Sequence, residues 1–230
     1  ATEPVERLMV YIGNVDPEVI DPVIQRMLAS ENAEVREAGG TIAAFAALEW
    51  DRPGFMQQAL SGDFHVRKGI AKLTAELFVK TSNNELATET LIHLMNDDVD
   101  EVRKETAEVA SRLRHHSLRQ FDRLLMALID SSSYVHAATQ LLITLDQAPD
   151  KVDELVLKAS ERFISVFGRA AADIRTGAAG DAFYVSKLVV RGLAQSQDRG
   201  HQAALLDILD QLLELGIYGI SDAIATTERS

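Results

Sequence analysis

Ser61-Gly62-Asp63-Phe64-His65-Val66-Arg67, residues 61–67, is a turn running into a helix start that carries an apolar residue and then a basic one. The same arrangement returns at Val35-Arg36, Val102-Arg103 and Val135-His136, so the four pairs stand 31, 36 and 33 residues apart. Self-similarity at a period of roughly thirty to forty residues marks stacked supersecondary units, none of which can cover its own apolar stripe. Seven residues past each apolar member stand Ile42, Leu73, Val109 and Leu142; eight past stand Ala43, Thr74, Ala110 and Ile143. Spacings of seven and eight return to one face of a 3.6-residue helix, so these positions predict a continuous buried seam.

Working outward, the periodicity is helical and no segment shows strand alternation. Asp16-Pro17 and Asp21-Pro22 each read as a cap followed by Pro at a first helical position, predicting a helix from 17 or 22 to 29. Second helices are predicted at 34–49, 64–80, 99–114 and 132–146, preceded by turns at 30–32, 61–63, 96–98 and 130–133. The expected fold is all-α: a right-handed α-α superhelix, with helical repeats over residues 1–149. Residues 150–230 are read as divergent repeats and a C-terminal cap, continuous with the first part. Residues 176–181 read as a loop, with Asp181 capping the next helix, and Arg175–Asp181 is the longest departure from the repeat grammar. In the helix predicted at 201–215, Leu205, Ile208, Leu209, Leu212 and Leu213 form an apolar face, and Gly216 supplies a left-handed cap. Ser221 is read as the start of a last short helix.

Composition narrows the function. A formal charge of -12 argues against nucleic-acid binding, which needs a concentrated excess of Lys and Arg. With no Cys, disulfides, thiolate zinc sites and Cys nucleophiles are excluded. No stretch approaches a membrane span and no signal pattern opens the chain, so a cytoplasmic location follows by default. The chain opens at Ala1 without Met and reads as a piece of a longer protein.

These residues resemble the HEAT-repeat family, in which an Asp in the intra-repeat turn precedes a Val-Arg pair opening the second helix. Six residues before the four basic positions stand Ser30, Ser61, Asp97 and Asp130, so the third and fourth units match the family's Asp position and the first two carry Ser. The fourth unit has His136 where Arg is usual. The likeness covers residues 23–146 and implies an α-solenoid that presents helix rows to a partner. The end of the chain, Leu205 through Ile220, looks like the C-terminal helix of helical-repeat regions appended to large bacterial NTPase or defence-type proteins.

Arg36, Arg67 and Arg103 form a periodic cationic row. The reading adopted is a structural ladder with Asp97, Asp130 and His136, each guanidinium holding a turn oxygen or carboxylate of its own or the adjacent unit. The acidic run Asn96–Glu101 is explained by capping and the positive helix end, since a calcium loop needs a Gly that this run lacks. No histidine grouping predicts a metal site, and no cofactor is expected. Partner-binding candidates are Glu37, Lys68, Lys72, Lys104 and Glu108 on the row of second helices, with Trp50 as an anchor at a helix end. The expected activity is protein binding or scaffolding, not catalysis, with a protein partner that carries a basic patch. The alternatives are a regulatory segment of a larger NTPase, or an enzyme on the same fold of the DNA base-excision or bilin-lyase type.

Overall fold

The computed structural model describes residues 17–148, 153–173 and 175–216, and within them the chain is helix and turn, with no strand. Two compact units divide it, residues 1–112 and 113–230. Compactness therefore draws its line after Arg112, whereas the repeat pattern of the sequence loosens only near residue 149.

In the first unit the helices are α1 (Pro17–Leu28), α2 (Ala33–Glu49), α3 (Pro53–Leu60), α4 (Phe64–Leu77), α5 (Asn84–Leu94), α6 (Asp100–Ala107) and α7 (Val109–Arg112). Two helix starts of this unit are capped by side chains. Asn32 Oδ1 accepts the N–H groups of Glu34 and Val35, and Asp63 Oδ1 accepts those of His65 and Val66, satisfying donors that have no intrahelical partner. Helix α2 stops where the N–H groups of Trp50 and Arg52 both reach the Ala46 carbonyl, with Asp51 in the left-handed region at φ 55°. The single helix expected at 99–114 is broken at Glu108. Within α6 the Thr106 hydroxyl donates to the Val102 carbonyl at 2.8 Å, a side-chain bond that bends helices.

The main joint of this unit is α2 on α4. Arg36 meets Asp63, Thr41 Oγ1 donates to the Gly69 carbonyl, and Thr81 Oγ1 donates to the Leu48 carbonyl, so the contacts advance together and the helices run parallel. Two glycines let the backbones touch. A Cβ on Gly40 would stand 2.1 Å from the Val66 carbonyl oxygen, and one on Gly69 would stand 2.1 Å from that of Glu37. Ala43, Ala44, Ala46 and Ala47 continue the small-residue face and are fully buried. On the other row, the side-chain amides of Gln25 (α1) and Gln58 (α3) exchange hydrogen bonds at 2.7 and 2.6 Å.

The second unit holds a 3₁₀ turn (Leu118–Phe121), then α8 (Asp122–Asp130), α9 (Tyr134–Gln147), α10 (Asp153–Ala171), α11 (Gly177–Gln195) and α12 (Arg199–Glu214). Here the predicted register slips by one. Val135 is 49% exposed, and Tyr134 is buried in its place, its hydroxyl donating to the Ala159 carbonyl at 3.0 Å. The buried set Tyr134, Ala137, Ala138, Leu141, Leu142, Leu145 repeats the spacing of Val66, Gly69, Ile70, Leu73, Thr74, Leu77. Of the predicted seam, Ala43, Leu73, Thr74, Val109, Ala110 and Leu142 are buried, while Ile42 and Ile143 are half-buried. Residues 177–181, expected as loop, form the first turns of α11. Asp181 does not cap that helix; it accepts a hydrogen bond from Thr139 of α9 at 2.8 Å. The expected last helix at Ser221 lies outside the described residues.

Adding one methyl at the α2–α4 joint forces the backbones apart, so Gly40→Ala and Gly69→Ala should each destabilise the protein by about 1–3 kcal/mol or more. Gly180, in α11, has open space around its Cβ direction, and Gly180→Ala should stabilise by roughly 0.5–1 kcal/mol. Urea denaturation followed by circular dichroism compares the three; equal midpoints would remove the close approach from the account.

Candidate partner-binding surface

Two arginines of the first unit, Arg36 and Arg67, reach in two directions. Arg36 Nη1 donates to the carbonyls of Ser30 and Glu31 in its own turn, at 2.7 and 2.8 Å, while its Nε donates to Asp63 Oδ2 at 2.6 Å. Arg67 repeats this at the next helix pair. Its Nη1 donates to the Gly62 carbonyl at 2.9 Å, its Nε and Nη2 grip both Asp97 oxygens at 2.6 and 3.0 Å, and Nη2 also reaches Asp98 at 2.7 Å. Arg103 Nη1 donates to the Asp97 carbonyl at 2.6 Å and its Nη2 to Asp100 at 2.7 Å. The planar fork of guanidinium suits this double task, which a Lys could not perform. The turn carboxylates likewise work twice: one oxygen of Asp63 caps its own helix and one of Asp97 accepts the Val99 N–H, while Asp63 also holds Arg36 and Asp97 also holds Arg67.

The residue overlooked by the sequence alignment is Asp63. Counting six back from Arg67 selects Ser61, but Asp63, four back, carries the rung. Its position as the last residue before the helix start was the available signal. In the second unit, Asp130 pairs with Lys158 of α10 at 2.9 Å, and His136 lies one place beyond the position that matches Arg67. A second unforeseen cluster joins α11 to the end of α9. Lys187 and Arg191 meet the Asp146 carboxylate at 2.7 and 3.0 Å, and Arg191 also donates to the Leu145 and Asp146 carbonyls. Cations placed there complement the negative end of a helix.

The partner-binding candidates separate into two groups. Lys68 and Glu37 are half-buried and pair with each other across α4 and α2 at 3.1 Å. Lys72, Lys104 and Glu108 are exposed. Trp50 is half-buried, its ring set edge-on to Phe45 with centroids 5.3 Å apart. Beside the ladder lies a shallow polar depression of about 320 Å³ lined by Leu60, Arg67, His93, Asn96, Asp97 and Asp98. Among the described residues no group of three or more His, Asp or Glu is arranged to hold a metal ion, and no helix is long and apolar enough to cross a membrane. No family model matches the chain, and neither a curated protein nor a solved structure matches it.

Burial pushes the Asp97 carboxyl upward, but the Arg67 hydrogen bonds, the Val99 N–H and the Arg67 charge outweigh it, so the group sits below its ordinary value. Asp63 is held down in the same way against burial, by the Val66 N–H and Arg36. A carboxylate whose folded pKa is depressed stabilises fully above the unfolded value of about 3.9, and that contribution is lost as pH falls through the folded pKa. Asp97→Asn should therefore cost about 2 kcal/mol at neutral pH, the worth of a charge-assisted hydrogen bond. It should also flatten the loss of stability below about pH 4. Urea melts at pH 7, 5 and 3 check this; parallel profiles for the variant and the native chain would refute it.

Proposed function

We propose that this chain is a HEAT-like repeat protein and a protein-binding or scaffolding module, its partner lying on the row of second helices. The observation that carries this reading is the ladder of the first unit. Arg36 and Arg67 are spent on joining one helix pair to the next, as a stack of repeats requires, and their charge is matched by Asp63, Asp97 and Asp98. Exposed on α4 and α6 are Lys72 and Lys104 beside Phe64, Asp100 and Glu101, with Glu108 just past the end of α6, a spread of charges suited to recognition by shape and charge rather than to chemistry. Lys68 and Glu37 take a different role from that expected of them: they neutralise each other and fix the joint beneath that row. The chain's formal charge of -12 favours a partner with a basic patch.

Charge reversal at Lys72 and Lys104 tests the assignment without touching the ladder. Cross-linking mass spectrometry on complexes captured from native lysate should place the partner's cross-links on α4 and α6. The double variant Lys72→Glu/Lys104→Glu should lose most of them while keeping the native circular dichroism and melting midpoint. Cross-links confined to other helices, or unchanged by the reversal, would overturn the placement.

A further inference from the structure

Helix α12 is apolar around more of its circumference than its neighbours cover. Leu205, Ile208 and Leu212 are buried against the rest of the second unit. Leu205 packs over Gly192 of α11, where a Cβ would meet it at 2.9 Å, and Leu215 packs over Gly168 of α10. One residue round the helix, Leu206 and Leu213 are 51% and 55% exposed, and Leu209 between them is half-exposed. The spacing of three and four returns them to a single stripe about 10 Å long. A surface helix with a second leucine stripe beside its buried one has a face that asks for a cover.

The charges around that stripe say what kind of cover. Asp207 and Glu214 border it on the side away from the buried row and, like Asp210, are exposed, and the chain has no Lys or Arg between Arg199 and Gly216. Asp210 lies on the same line as Leu206 and Leu213. A second copy meeting this face through a two-fold axis would set these carboxylates against their own images, which is unfavourable. We propose that α12 docks an amphipathic helix of a protein partner, with a Leu or Ile stripe for Leu206, Leu209 and Leu213 and Lys or Arg along one edge for Asp207, Asp210 and Glu214. Apolar anchors at helical spacing, edged by complementary charge, are a recurring mode of helix recognition. This inference rests on the reading of the chain as a protein-binding module, but it locates a site on a different unit from Lys72 and Lys104.

The test uses the full chain and a fluorescent, helix-forming probe peptide with one Leu face flanked by Lys, next to the same peptide with every Lys changed to Glu. Fluorescence anisotropy should give the Lys peptide a Kd lower by about tenfold or more. Leu206→Ser/Leu213→Ser should remove most of the binding, and Asp207→Lys/Asp210→Lys/Glu214→Lys should transfer the preference to the Glu peptide. Lys72→Glu/Lys104→Glu should leave the probe affinity unchanged, so that failure here and failure of the α4–α6 assignment remain distinguishable. Three results would overturn the proposal. The two peptides bind equally, or the Leu variants bind as the native chain does. The native chain sediments as a dimer that Leu206→Ser/Leu213→Ser dissolves, making a second copy the occupant. Hydrogen exchange shows amides of residues 217–230 protected in the native chain and released by the same pair of substitutions, making the chain's own end the occupant.

Discussion

Everything in the first unit depends on two helices being allowed to touch at the backbone. Gly40 and Gly69 stand where any side chain would collide with a main-chain oxygen of the opposite helix. Because α2 and α4 approach so closely, short groups suffice to bridge them: Thr41 reaches the Gly69 carbonyl, and Glu37 reaches Lys68. The approach also sets Arg36 within a hydrogen bond of Asp63 at the mouth of the joint. Dispersion and buried alanine surface supply the cohesion, and the ion pairs supply direction, since an exposed or half-exposed pair alone contributes little.

The second unit packs its helices by other means. Tyr134 fills the position held in α4 by Val66, and Phe163 and Phe167 lie near it, so bulk replaces close backbone contact. Its ionic joints also have a different source. Lys158 serves Asp130, and Lys187 and Arg191 serve Asp146, where the first unit uses an arginine next to an apolar helix-opening residue.

This contrast explains how much was readable beforehand. The all-α fold and the placement of the turns followed from spacing, because they depend on local chemistry repeated in register. Asp63 escaped because a fixed count from Arg67 assumes turns of constant length, whereas the cap stands at -4 in one turn and the Asp at -6 in another. The shift at Val135 escaped because Val and Tyr both suit a buried position, and only packing against Ala159 chooses between them. The helical state of residues 177–181 ran against the low helix propensity of Gly177 and Gly180; tertiary anchoring through Asp181 and the burial of Ala182 decided it. The pairing of Lys68 with Glu37 was out of reach for the same reason: two exposed-looking positions on separate helices reveal nothing of their distance.

Asp97 has one further consequence. Its carboxylate belongs to the turn before α6 yet grips the arginine of α4, and its carbonyl holds Arg103. Fraying that turn strips the neighbouring pair of its anchor at the same moment, so neither can melt alone at low cost. Helices fastened in this manner unzip as a block, and their cooperativity is written into a single side chain shared between two helix pairs of the first unit.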